Sequence, residues 1–268
     1  MAAKSKVSLL DLGRIDSDDG FFVRGSNAAI QSNPNPTIER RRVAVVAAVI
    51  EHPTAGPILF DTGCAPEVAS DPEGYWGPAA KFLGNIRFSK DQVVDQQVKL
   101  HGYQLADVKF VVVSHLHLDH AGGMKLFPNA QFLVMKGELP YAYWPDRRAR
   151  NGFILNDLLP VRGFNWKEFE GDTDLFGDGA LMMLKTAGHT PGECSLQVRL
   201  KDFSIVLTGD TVHIRPQMQT LAAMDSDYDQ AEASASIKRL GEIEASGEAK
   251  LWISHAPEDW AKYAHVME

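Results

Sequence analysis

Residues 113 to 123, Val-Ser-His-Leu-His-Leu-Asp-His-Ala-Gly-Gly, restrict this chain more than any other stretch. His115, His117, Asp119 and His120 crowd directly behind the apolar run Val108, Phe110, Val111, Val112, Val113, which reads as a buried strand. A strand that stops at Val113 fans those side chains into a loop. His115 and His117, two apart in extended backbone, can point to one ion, while Asp119 and His120 turn toward a second position. Neutral imidazole and carboxylate are the donors that Zn²⁺ and its first-row neighbours prefer. Gly122 and Gly123 let the backbone turn sharply beside them. A run of solvated histidines is the alternative, but it accounts neither for the buried strand before the cluster nor for the further ligands downstream.

A chain of 268 residues, 44% of them hydrophobic, can bury a core as one large domain or two small ones. Its net charge of −8 argues against a nucleic-acid partner, which needs a clustered positive surface. Arg40 to Arg42, and more loosely Arg147, Arg148 and Arg150, read as solvated edges. Lys4 and Lys6 near the start are not followed by the apolar core of a signal peptide. The longest apolar run, Val43 to Ile50, falls well short of the roughly 20 residues that cross a bilayer, so no membrane association is expected. Cys64 and Cys194 are not at ligand spacing, and a reducing, cytoplasmic setting is expected.

Along the chain, Lys6 to Leu12 reads as a first strand and Gly13 to Pro36 as a polar loop holding Phe21, Phe22 and Val23. Val43 to Ile50 and Pro57 to Phe60 form a hairpin ending at Asp61-Thr62-Gly63. Asp61 is placed to orient the metal loop by accepting a backbone or imidazole N–H. Cys64 to Phe88, with Tyr75, Trp76 and Phe82, reads as a long irregular loop. Ser89 to Gln92 has the form of a capping box opening a helix that stops at Gly102. Gln131 to Met135, Leu181 to Lys185, Ser195 to Leu200, Phe203 to Thr208 and Leu251 to Ser254 read as strands, and a helix runs from Asp229 to Gly247. The aromatic-rich stretch from Gly137 to Phe169, including Tyr141 and Trp144, reads either as a lid over the site or as a helical hairpin packing its own aromatics. No linker divides the chain, so 1–268 is read as one domain. Its loosely similar halves, about 1–125 and 126–268, each have a strand ending in Ser-His, Ser114-His115 and Ser254-His255.

Three later strands also end in metal-competent residues: His189 in Gly188-His189-Thr190-Pro191-Gly192, Asp210 in Thr208-Gly209-Asp210, and His255. With the first cluster they make seven donors, too many for one tetrahedral ion and suited to two ions sharing a carboxylate. The assignment is His115, His117 and His189 on one ion, Asp119, His120 and His255 on the other, and Asp210 between them.

This pattern resembles the metallo-β-lactamase superfamily, whose His-x-His-x-Asp-His signature matches His115 to His120. Within it the chain is most similar to the N-acyl homoserine lactonase branch, through Ser114 to Gly123, Gly56 to Gly63, His189 to Gly192, Asp210 and the helix around Ile237 to Leu240. The resemblance implies an α/β fold, a four-layer αβ/βα sandwich with the metal site at the strand ends between two sheets. It implies two divalent ions, Zn or else Mn, Fe or Co, and a small-molecule substrate. The implied activity is opening of a lactone ring, that of an N-acyl homoserine lactone in quorum quenching. His213 stands three residues after Asp210, where that branch has a tyrosine. It can donate to the lactone carbonyl, add a metal ligand or cap a loop. Glu193 stands where a second histidine is frequent, a place not on the metal.

On this reading a water held between two cations about 3.5–4 Å apart has its pKa lowered from 15.7 toward about 7, attacks the lactone carbonyl as hydroxide, and no covalent enzyme intermediate is needed. Asp119 combines ligand and proton-shuttle roles, and His213 helps stabilise the oxyanion. Leu118, Phe21, Phe22, Trp76, Phe82, Tyr141 and Trp144 are the candidate walls for an acyl chain. The aromatic loops equally suit a homodimer interface. Other cytoplasmic lactonases, phosphotriesterases and esterases share the ligand set. A glyoxalase-II-like thioesterase adds a C-terminal glutathione-binding region, whereas this chain ends at Glu268 soon after His255. A secreted β-lactamase calls for a signal peptide, and a non-catalytic binding module does not call for an open two-metal centre.

Overall fold

The structure is a computed structural model that describes residues 4–268 apart from 27, 39, 84 and 264, and apart from the side chains of 81–83 and 85. Its first sheet is built from β1 (Lys6–Asp18), β2 (Arg40–His52), β3 (Gly56–Phe60), β4 (Asn85–Arg87), β5 (Phe110–Val112), β6 (Gln131–Met135) and β7 (Asn165–Phe169). The second is built from β8 (Thr173–Asp174), β9 (Leu181–Lys185), β10 (Cys194–Arg199), β11 (Ser204–Leu207) and β12 (Lys250–Trp252), while the last strand, β13 (Val266–Met267), returns to the first sheet beside β1. β2 shows why two apolar faces are needed. Val43, Val45, Ala47 and Val49 face one core and Ala44, Val46, Ala48 and Ile50 the other, the period-two pattern of a strand buried on both sides.

The second of these cores lies between the sheets, where Ile50, Ile58 and Phe60 meet Met183, Leu196, Leu207 and Trp252. On the outer face of the first sheet Val94 and Val98, from the Val94–Leu100 helix, join Leu10, Leu59 and Val111. On the outer face of the second, Ile237 and Leu240 of the Gln230–Ser246 helix cover Leu184, Val206 and Leu251. The result is the expected four-layer α/β sandwich. The Gln230–Ser246 helix begins and ends as its sequence dictates: Asp229 accepts the N–H groups of Ala231 and Glu232, and Gly247 closes it with φ +78°.

Parallel pairing fixes where the site can be. β3 and β5 run parallel, as do β11 and β12, so Asp61, Ser114, Gly209 and Ile253, each just past one of these strands, leave the sheets at carboxyl ends. Loops at the carboxyl ends of parallel strands are where α/β sheets hold ligands.

Three expectations are corrected. β1 does not stop at Leu12. It continues to Asp18 past a bulge between Asp11 and Arg14, where Gly13 has φ +106°. Polar Asp16 to Asp18 looked like loop because their partners are charged as well: Asp16 pairs across the sheet with Arg42, 2.7 Å between Nε and Oδ1, so the arginine run is one side of a charged ladder. The segment after Cys64 is not irregular but holds short helices at Pro72–Trp76 and Pro78–Leu83 and then β4. Finally, 137–169 contains the Glu138–Tyr143 and Leu155–Leu158 helices and ends in β7, whose residues are mostly exposed and gave no apolar signal.

Candidate metal centre

The loops that follow β5, β9, β11 and β12 bring six imidazoles and two carboxylates to one point. Nε2 of His115 and Nε2 of His189 each lie 2.9 Å from Nδ1 of His117. On the other side, Asp119, His120 and His255 converge, each offering an atom within 4.8 Å of the others. Asp210 reaches both groups. Its Oδ1 is 3.2 Å from His120 Nε2 and 3.1 Å from His255 Nε2, and its Oδ2 is 3.8 Å from His115 Nε2 and 3.7 Å from His189 Nε2. His213 enters from beside Asp210, with Nε2 3.1 Å from Oδ2.

The backs of the rings explain their fronts. His120 Nδ1 is 2.9 Å from Asp61 Oδ2, His189 Nδ1 2.7 Å from Asp227 Oδ1, His115 Nδ1 3.0 Å from Glu193 Oε2, and His255 Nδ1 2.6 Å from the carbonyl of Ala44. An imidazole that donates its rear N–H to oxygen turns a lone pair forward. Asp61 also accepts from the backbone N–H and hydroxyl of Ser114, at 2.7 and 2.8 Å, which locks the start of the loop. Its backbone sits at φ +60°, a region aspartate tolerates better than most residues. Gly188, at φ +136°, lets the His189 turn lie against Ala233, where any Cβ would come within 2.2 Å of a backbone nitrogen.

Lone pairs that converge in this way fit a cation. Imidazole nitrogens 2.9 Å apart are near the edge of about 3.3 Å expected for a tetrahedron with 2.0–2.1 Å bonds. His120 Nε2 and Asp210 Oδ1 are buried with no hydrogen-bond partner. Burial, and then the neighbouring imidazoles, hold His115 and His117 well below the usual histidine range, so both are neutral donors. Burial pushes the Asp210 carboxyl up, but His120, His213 and His255 outweigh it and hold it well below the carboxylate range. This donor set suits two divalent ions, with Asp210 presenting one oxygen to each group.

A cavity of about 710 Å³, counting space open to solvent, leads to this cluster. Phe21, Phe22 and Leu118 line it as expected, with Ile15, Val43 and Met224. The other proposed wall residues do not. Trp76 is buried in the outer core of the first sheet, and Trp144, 84% exposed, points to solvent. Tyr141 stands one layer back, edge-on to Phe153, which in turn packs against His117 at 4.5 Å. The Phe82 side chain lies outside the described residues. Aromatic content alone could not separate packing from lining. Arg148, read as a solvated edge, stands at the cavity mouth with Asn151 and Gly152. Glu193 was noted only as a place off the metal, without its role behind His115; Asp227 was missed, and so was Glu138, whose Oε1 accepts the N–H of Leu116 at 2.8 Å. Asp227 lies far from His189 in sequence, and between Asp225 and Asp229 nothing marks it out.

Residues 40–255 match the family model of the metallo-beta-lactamase superfamily. The chain is 35% identical over 225 residues to N-acyl homoserine lactonase AttM of Rhizobium radiobacter, covering 82% of this chain and 84% of that one. It is 30% identical over 204 residues to N-acyl homoserine lactonase AiiA of Bacillus thuringiensis subsp. kurstaki, covering 75% and 76%. An N-acyl homoserine lactone hydrolase solved with N-hexanoyl-L-homoserine at its catalytic metal centre superposes with a TM-score of 0.80 over 98% of each chain, at 25% identity. Matched over most of its length in sequence and over nearly all of it in shape, the chain belongs to the metallo-β-lactamase superfamily.

Proposed function

We propose that this chain is a divalent-metal hydrolase that opens the ring of N-acyl homoserine lactones, with His115, His117 and His189 on one ion, Asp119, His120 and His255 on the other, and Asp210 shared. The observation that carries the reading is the convergence of these lone pairs at the floor of an apolar cavity, each of four rings backed by an oxygen. The similarity to lactonases over most of the chain supports the substrate class. Two bound divalent ions, zinc being the first candidate, supply hydroxide at neutral pH and a Lewis acid for the carbonyl.

The protein's own groups do the rest. Asp119, 8% exposed and beside His120 and His255, is placed to take a proton from water and return it to the leaving oxygen. His213 lines the cavity with its ring stacked on His255, centroids 5.8 Å apart, where it can donate to the substrate's carbonyl or ring oxygen in the role a tyrosine fills in the branch it resembles. Ile15, Phe21, Phe22, Val43 and Met224 hold an acyl chain and keep solvent from the reacting carbonyl.

The test is proton release by the zinc-loaded protein on acyl homoserine lactones of several chain lengths, simple γ- and δ-lactones, a glutathione thioester and a phosphotriester. Metal-dependent hydrolysis of acyl homoserine lactones, with kcat/KM rising by up to about 0.8 kcal/mol of binding per added methylene, is expected. Turnover confined to another ester class would move the substrate and leave the metal chemistry in place.

A further inference from the structure

Granted the metal centre proposed above, we infer that Glu193 is its central positioning residue: one carboxylate oxygen fixes the ring of His115 and the other fixes the loop of Asp210. Glu193 is fully buried at the start of β10. Its Oε1 accepts the backbone N–H of Asp210 at 3.0 Å, and its Oε2, buried and with no other hydrogen-bond partner, lies 3.0 Å from Nδ1 of His115, a nitrogen that also has Ser114 Oγ at 3.0 Å. Gly209, at φ +56°, is packed so tightly on the same carboxylate that a Cβ there would fall 2.4 Å from Oε1.

Glu138 also crosses between the two halves, but through the N–H groups of Leu116 and Gly192 and the Thr190 hydroxyl, and it holds no ring of the cluster. Asp61 holds Ser114 and His120, both of the first sheet's metal loop, and Asp227 holds His189 and the N–H of Met224, both of the second half. Among the described residues, Glu193 is the carboxylate that ties a metal-facing ring beyond β5 of the first sheet to the shared aspartate beyond β11 of the second. The two donors it faces, an imidazole N–H and a peptide N–H, demand two acceptors. A carboxylate supplies both. Glutamine supplies one and sets its NH₂ against the other donor, and neutral histidine supplies one ring nitrogen at most. With Nδ1–H directed to the oxygens behind the ring, Glu193 Oε2 and Ser114 Oγ, His115 presents the Nε2 lone pair that stands 2.9 Å from His117 Nδ1. Without the carboxylate the ring keeps only the Ser114 hydroxyl behind it, which donates as readily as it accepts and so does not fix the tautomer, and the loop of Asp210 loses its tether.

The experiment compares wild type, Glu193→Gln and Glu193→His on two readouts that need no substrate. One is the rate at which the zinc-loaded protein yields its ions to a chromogenic chelator. The other is the set of solvent-exchangeable, hyperfine-shifted imidazole N–H signals in the proton NMR spectrum of the cobalt(II)-substituted protein. Zinc release about 10- to 100-fold faster in both variants is expected, the range for loss of an outer hydrogen bond to a ligand, together with loss of one protected N–H signal assigned to His115. Unchanged release, or faster release with every protected signal kept, would overturn the role. The wild-type spectrum tests it even if both variants fail to fold, because a His115 N–H signal that exchanges freely in wild type means the ring is not held. Wild type that takes up no ions would instead sink the metal centre itself.

Discussion

Gly188→Ala should cost far more than a glycine in a turn usually does, because at this position the backbone conformation and the packing are both set by the metal loop. Cβ of an alanine there would lie 2.2 Å from the nitrogen, 2.3 Å from Cα and 2.7 Å from Cβ of Ala233, in the first turn of the Gln230–Ser246 helix. Restoring ordinary contact takes a shift of about 1 Å, on the scale of interior packing where overfilling costs about 1–3 kcal/mol. The helix cannot slide away freely. Asp229 N–H donates to the Gly188 carbonyl at 3.0 Å, Tyr228 N–H to the His189 carbonyl at 3.1 Å, and Ser236 Oγ to the Ala187 carbonyl at 2.7 Å. Forcing an alanine to φ +136° adds strain of about 1–3 kcal/mol. The sum, about 2–6 kcal/mol, should lower Tm by roughly 10 °C in a chain of this size. Gly247→Ala is the matched control. Its φ is +78° and no atom lies within 4 Å of the added Cβ, so conformation alone is tested, at about 1–2 kcal/mol. Thermal unfolding of both variants, with zinc and with chelator, measures the difference. Equal losses in the two would refute the claim that the helix packs directly on the histidine turn.

Two further outcomes are expected. Burial raises the Asp157 carboxyl from 3.8 to about 7, despite the Tyr75 hydroxyl that donates to its Oδ1 at 2.8 Å. The folded state therefore holds a proton that the unfolded chain releases, so stability falls as pH rises from about 4 to 7 and the loss is complete above 7, on the order of 4 kcal/mol. Asp157→Asn, a neutral isostere, should raise Tm at pH 8 and leave it unchanged near pH 4; a Tm gain equal at both pH values would exclude this account. Removing the ions with a chelator should lower Tm, and adding zinc should restore it, by about 4 kcal/mol at a thousandfold excess over Kd; a Tm insensitive to chelator would count against a resident metal.

The hairpin of β2 and β3, the apolar strand β5 and the long helix were legible because each follows one rule throughout, alternation in the strands and a capped, closed helix. The seven residues that converge as candidate ligands were legible because each sits in a short polar turn after an apolar run. β7 and the end of β1 were not, since edge segments with polar residues on both faces look like loop until their partners across the sheet are known. Trp76 and Trp144 show the same limit for walls: composition placed aromatics near the site, but only packing sent one into the core and the other to solvent. Glu193 and Asp227 were hidden for a different reason. A residue that acts on the back of a ring is marked by distance in space, and neither spacing nor periodicity records it.

Gln217 makes the same point in a form that can be tested on both stability and specificity. Its side chain, 1% exposed, accepts the backbone N–H of His213 at 2.7 Å through Oε1 and donates through Nε2 to the carbonyls of Phe22 at 2.9 Å and Ala222 at 3.2 Å. One amide thus fixes the cavity wall relative to the loop of His213, which lines the same cavity, and the rings of Phe22 and His213 pack at 5.7 Å across it. Gln217→Glu keeps the shape and the acceptor but removes both donor bonds, leaving the buried carbonyl of Phe22 and the half-buried carbonyl of Ala222 facing an anion. A buried group left without a partner costs about 1–3 kcal/mol and a half-buried one less, so a loss of about 2–4 kcal/mol is expected at pH 8. At pH 5 protonation of the new carboxyl returns one donor, and part of the loss should be recovered. If Phe22 is displaced with it, KM should rise more for long-chain than for short-chain acyl homoserine lactones while kcat on the short ones changes less. A variant as stable as wild type at pH 8, or one whose KM rises equally for every chain length, would show that the wall and the His213 loop are held independently.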